Sequence, residues 1–146
     1  MTTPDRLIAF VGSSDLDSAR DFYGGVLGFE LREELPHALV ASVSGTELWI
    51  TKVDAVVPAA YTVLGWAVDD IEATVDRAAA FGVTFLRYDG MGQDERAIWT
   101  EPDGDRWLWF FDPDGNGMHG LNERMRVRSL YEGRDFLYAV VNAYLK

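Results

Sequence analysis

The stretch "DPDGNGMHGLNE", Asp112 to Glu123, admits two readings that lead to different folds. Counted by its oxygen donors it is a calcium loop, with acidic or amide residues at places one, three and five, glycine at six and glutamate at twelve, as in an EF-hand. An EF-hand joins two helices, whereas the preceding "RWLWFF", 106–111, alternates large apolar residues as a strand does. Pro113 also fills the second place, and His119 stands at the eighth, where such a loop takes an aliphatic residue. The second reading fits these neighbours: Asp-Pro-Asp-Gly is a type I turn, with proline fixing φ and an Asp side chain able to bond the following backbone. On this basis Asp112 to Asn116 connects two antiparallel strands, and the rest of the chain is read outward from there.

Upstream, "RLIAFVG" is a short apolar run ended by glycine and reads as a strand. In "SSDLDSARDFYGGVLG", Leu16, Ala19, Phe22, Tyr23, Val26 and Leu27 recur at helical spacing, with Ser14 or Asp15 placed to cap and Gly28 to stop. Three strand-like runs follow, "FELREEL", "HALVASV" and "TELWITKV", broken at Pro36 and at Ser44-Gly45. The same order then restarts. "YTVLGWAV" predicts a strand, and "DDIEATVDRAAAFG" a helix capped near Asp69 or Asp70 and stopped at Gly82; "VTFLRYDG", "RWLWFFD" and "GMHGLNE" predict three more strands. Laying Asp15-Leu16 on Asp70-Ile71 brings Gly28 within a residue of Gly82 and sets Phe29–Arg32 over Thr84–Arg87. A repeat of about 55 residues is an internal duplication of a βαβββ unit. "MGQDERAIWTEPDGD" reads as an insertion in the second copy, with a short strand at Ala97 to Thr100. Leu137, Val140, Val141, Tyr144 and Leu145 predict a terminal amphipathic helix over about 129–146.

The 146 residues, 48% of them hydrophobic, suffice for one domain with a real core. The net charge of −11 disfavours nucleic acid and anionic membranes as partners, and no run approaches membrane-spanning length. Without cysteine the chain has neither disulfides nor thiolate metal ligands. No secretory leader is evident at "MTTPDRLIAF", which gives the expectation of a cytoplasmic protein. Arg124, Arg126 and Arg128 read as a solvated or salt-bridged basic stripe.

The duplicated unit, with "DLDSARDFYGGVLGFEL", "VDDIEATVDRAAAFGVTF" and above all "FFDPDGNGMHGLNE", resembles the vicinal oxygen chelate superfamily of glyoxalases, bleomycin-resistance proteins and extradiol dioxygenases. The stretch "RYDGMGQDERAIWTEPDGD" resembles an uncharacterised branch of it. The resemblance covers Leu7 to Glu123 and implies an α+β fold. Two tandem βαβββ modules, about 6–54 and 60–123, would form an incompletely closed eight-stranded mixed barrel with helices outside, and the C-terminal helix would follow as an extension.

Metal-using relatives carry ligands on the first and last strands of each module. Here those positions fall on Ile8 and Val63, and near Trp49, with Glu47 on the same face, and on His119. Only His119 is a direct match. A divalent site takes three or four protein ligands, so the expectation is that no metal or other cofactor is held; the alternative is a divalent ion on His119 and Glu47. His37 opens a strand and has no assigned role. By alternation Trp107, Trp109 and Phe111 share one strand face, while Leu108 and Phe110, with Val11, Leu64 and Trp66, pack beneath the helices. Phe10, Trp49, Tyr88, Trp107, Trp109, His119 and Leu121 are therefore the candidate walls of a cavity for a planar or cationic small molecule. The chain is expected to bind such a ligand as a homodimer, as bleomycin-resistance proteins do. The rival readings are a metal-dependent glyoxalase- or dioxygenase-like enzyme and a metal-free enzyme with His119 as acid or base.

Overall fold

A computed structural model describes residues 5–122. The element order is β1 Ile8–Ser13, α1 Leu16–Ala19 running on as a π-helical stretch Arg20–Val26, β2 Glu30–Leu35, β3 Ala38–Val43 and β4 Thr46–Lys52; then β5 Thr62–Ala67, α2 Ile71–Ala80, β6 Trp99–Thr100, β7 Arg106–Phe111 and β8 Gly117–Asn122. The terminal helix expected over 129–146 lies outside the described residues. Within the described residues no helix is long and apolar enough to cross a membrane.

The duplication is visible in the topology. Two four-stranded sheets have the orders β1-β4-β3-β2 and β5-β8-β7-β6, and in each the first strand pairs parallel to the last while the other pairs are antiparallel. No ladder joins the two sheets among the described residues, which form two four-stranded mixed sheets and no closed barrel. Both helices start as read. Asp15 accepts hydrogen bonds from the backbone N–H groups of Asp17 and Ser18, Asp70 accepts from that of Ala73, and Gly28 and Gly82 take positive φ values of 74° and 82° just past the helix ends. The wider π turns between Arg20 and Val26 were not foreseen, because the apolar spacing alone does not separate the two helix types.

One strand assignment is corrected. "VTFLRYDG" does not form a strand: Phe85 makes a single bridge to Phe110, and the chain then turns away. Gln93 takes over its backbone, accepting from Tyr88 N–H and donating to the Leu86 and Ala97 carbonyls, while Arg87 donates to the carbonyls of Asp94 and Glu95. The short β6 therefore forms the outer edge of the second sheet. Residues 101–105 make a hairpin that sets Trp99 opposite Trp107.

Each sheet buries its helix-facing side. Val11, Leu39, Leu48 and Ile50 from the first, and Leu108, Phe110 and Met118 from the second, share one core with Ala19, Phe22, Tyr23, Ile71 and Val75. Leu64 and Trp66 pack on this core, as the alternation predicts.

The turn from Asp112 to Asn116 performs a structural task in joining the modules. Asp112 is 5% exposed. Its Oδ1 accepts from the N–H groups of Asp114 and Asn116, and its Oδ2 accepts from the Tyr23 hydroxyl at 2.7 Å and from Asn116 Nδ2. Asn116 Nδ2 also donates to the Gly12 carbonyl, and Asp114 accepts from both N–H and Oγ of Ser14. The turn of the second module is thus bonded to the first strand and first helix of the first. Burial, reinforced by the neighbouring Asp112, pushes the Tyr23 hydroxyl far above its ordinary pKa, so it remains a donor.

Candidate functional site

The faces turned away from the helices carry the candidate residues. On the second sheet Trp107 and Trp109 lie nearly parallel, 6.4 Å between ring centroids and 12° between planes. Trp99 sits 6.3 Å from Trp109, Tyr88 meets Trp109 edge-on at 5.6 Å, and His119 meets Trp107 edge-on at 5.2 Å. Five rings are brought together, four of which the alternation anticipated. Trp99 was missed because its stretch reads as an insertion; the signal was the Pro-Asp-Gly-Asp turn, which folds Trp99 back onto Trp107.

On the first sheet Phe10 and Trp49 pair across strands with centroids 6.3 Å apart, and Phe10 is 67% exposed. No ring contact connects this pair to the five-ring group among the described residues, so the candidate walls form two groups on two sheets. Leu121 pairs with Trp107 in register on β8. Phe111, at the far end of β7, stays half-exposed.

The two groups occupy equivalent places. Phe10 pairs with Trp49 between β1 and β4, and Gly65, 55 residues after Phe10, pairs with His119 between β5 and β8. Gly65 provides the space that the imidazole occupies: a Cβ there would lie 2.2 Å from His119 Nε2. The ring is held against β5 on one side and Trp107 on the other. Partial burial pulls its pKa below the ordinary histidine value, so the imidazole is neutral at pH 7.

This shift has a consequence for stability. In the unfolded chain His119 takes a proton as the pH falls past about 6.5, while the folded chain resists protonation until lower pH. His119 thus contributes stability in full above that unfolded value, and this contribution declines as the pH falls toward the folded pKa. The urea midpoint should accordingly drop more between pH 7.5 and 5.5 for the natural chain than for His119→Gln; parallel curves for the two would show that the imidazole is not held in its neutral form.

The donor set is too small for a divalent metal. Of the four family positions, Ile8 and Val63 offer no donor and Trp49 no ligand atom, which leaves His119. Glu47 is already engaged, accepting from Trp49 Nε1 at 3.1 Å and pairing with Arg6 at 2.7 Å. These residues do not fit a three- or four-ligand site. Among the described residues the one gathering of three ligating side chains is Glu101, Asp103 and Asp105, on the β6–β7 hairpin beside Trp99 and Trp107. Burial, with the neighbouring Asp103 and Asp105, holds the Glu101 carboxyl above its usual range.

These features place the chain in a class. It belongs to the Glyoxalase/Bleomycin resistance protein/Dioxygenase superfamily, whose model matches residues 7–119. Solved structures agree in fold. A member of that superfamily from Sphaerobacter thermophilus DSM 20745 is 26% identical, with 83% of this chain and 98% of that one covered at a TM-score of 0.64. A lactoylglutathione lyase from Agrobacterium tumefaciens is 20% identical, with 82% and 95% covered at 0.63. A glyoxalase/bleomycin resistance protein/dioxygenase from Alicyclobacillus acidocaldarius is 20% identical, with 87% and 96% covered at 0.61. No curated protein matches the sequence.

Proposed function

We propose that this chain is a small-molecule-binding protein of its superfamily, holding a planar aromatic or cationic guest on the tryptophan-lined face without a complete metal site. The observation that carries the reading is the five-ring group of Tyr88, Trp99, Trp107, Trp109 and His119. Indole faces bury large apolar area and attract cations, and a neutral imidazole adds a polar contact without repelling one. The carboxylates of Glu101, Asp103 and Asp105, and the overall charge of −11, draw in the same sign of ligand. Sequestration requires no catalytic group. Phe10 and Trp49 complete the wall when a second copy closes the barrel, and the exposure of Ile8 and Phe10 supports such a homodimer. Its place of action in this reading is the cytoplasm.

Tryptophan-fluorescence titration with planar cations and neutral aromatics is the direct test. A cationic aromatic should bind, and Trp109→Ala should weaken it about tenfold, as expected for the loss of one indole face worth roughly 1 kcal/mol or more. If the variant binds every tested compound as well as the natural chain does, the platform is not the site. Elemental analysis after exposure to zinc, iron, manganese and nickel should show no stoichiometric retention. Retention abolished by His119→Ala would instead assign a metal-dependent enzyme. Turnover that survives chelation and follows a bell-shaped pH profile would assign metal-free catalysis to His119.

A further inference from the structure

The duplication generates two junctions between the modules, and they are not alike. At one, the five residues Asp112 to Asn116 between β7 and β8 reach across to Gly12, Ser14 and Tyr23. At the other, the equivalent connection between β3 and β4 is only Ser44 and Gly45, too short to cross. What it leaves is a cleft of about 350 Å³, walled by Leu7, Ala9, Phe29, Val43, Leu48 and Trp66 and edged by Ser44, Thr46 and Ala67. Ala78, 55 residues after Tyr23, stands where a second bridging hydroxyl would have to be.

We propose that residues 123–146 dock in this cleft of their own chain, with the apolar stripe of Leu137, Val140, Val141, Tyr144 and Leu145 against its walls. Three observations on different links of the argument agree. The first is where the segment starts: β8 ends at Asn122, its neighbour Leu121 pairs with Ala67, and Ala67 borders the cleft. The second is chemical match, since the stripe recurs at places i, i+3, i+4, i+7 and i+8 and the cleft walls are aliphatic and aromatic. The third is charge. Residues 123–146 carry five Arg or Lys against three Asp or Glu, whereas residues 1–122 carry eight against twenty-one. Reach is sufficient: six residues from 123 to 128 span up to about 20 Å, and eighteen helical residues about 27 Å. The tail then completes at one junction what the Asp112 turn completes at the other.

The absence of natural cysteine makes the test clean. Thr46→Cys with Val141→Cys, treated with a short thiol-to-thiol linker, should give an intrachain product that runs fast on a non-reducing gel. Asp17→Cys with Val141→Cys, which probes the first junction, should give at least about fivefold less. A disulfide-linked or linker-joined dimer from the first pair would show that the stripe sits on a second copy, and equal yields from the two pairs would show no seat; either overturns the proposal. In the full chain, Val140→Asp with Val141→Asp should leave the circular dichroism of the β-sheet unchanged and speed trypsin cleavage between Arg124 and Arg134 about tenfold, because cleavage follows the open population. Unchanged cleavage would also overturn it.

Discussion

Asp112→Ala is expected to cost on the order of 3 kcal/mol of folding stability and to lower the melting temperature by roughly 10 °C. The side chain is almost fully buried and accepts four hydrogen bonds, from Tyr23, from Asn116 Nδ2 and from the backbone of Asp114 and Asn116. Alanine leaves the Tyr23 hydroxyl and the two backbone N–H groups without this acceptor, and Asn116 Nδ2 with the Gly12 carbonyl alone, in a place that water does not reach freely. Asp112→Asn should cost about half as much. Its carbonyl can keep the two backbone N–H groups, and the Tyr23 hydroxyl can rotate to accept, but the amide would face Asn116 Nδ2, a second donor. Urea denaturation of the two variants measures the order. Equal and small losses would mean that the turn is held by its neighbours and not by this carboxylate. Calcium and chelator should leave the melting temperature of the natural chain unchanged, since the oxygens that an EF-hand would aim at an ion are spent within the turn and on Tyr23.

Gly65→Ala should expel His119 from its slot. The added methyl would lie within 2.8 Å of three imidazole atoms, and the ring is the movable partner because it is the end of a side chain. The fold should survive at a cost of roughly 1–3 kcal/mol. The imidazole would leave Trp107 and meet water, so its proton resonances should lose the ring-current shift of the indole. Its pKa should rise toward the ordinary histidine value. NMR titration of the His119 signals in Gly65→Ala and in the natural chain reads both effects. If the His119 signals match those of the natural chain, the imidazole does not rest on β5.

Most of the architecture could be read before any coordinates because it rests on local chemistry repeated twice. Asp15 and Asp70 cap, Gly28 and Gly82 stop, and the alternation of 106–111 separates Leu108 and Phe110 from the two tryptophans. What failed was tertiary. Thr84 to Arg87 has strand-forming residues, yet whether a run joins a ladder depends on a partner, and here the Gln93 side chain bonds the Leu86 carbonyl and the Tyr88 N–H instead. Trp99 was hidden for the converse reason, since nothing local in "AIWT" shows that it faces Trp107. Alternation also placed Phe10 and Trp49 on the correct face of their strands, but it carries no information on which sheet faces which. The slot made by Gly65 was illegible because a missing side chain has meaning only once its cross-strand neighbour is known.

The bonds from Ser14 to Asp114 and from Tyr23 to Asp112 span 100 and 89 positions of the chain. As the protein emerges from the ribosome, its first helix can form early but cannot be secured until nearly the last strand has been made. Contacts of such separation slow folding and couple its parts. The first half, released alone, should therefore behave as an unfinished piece.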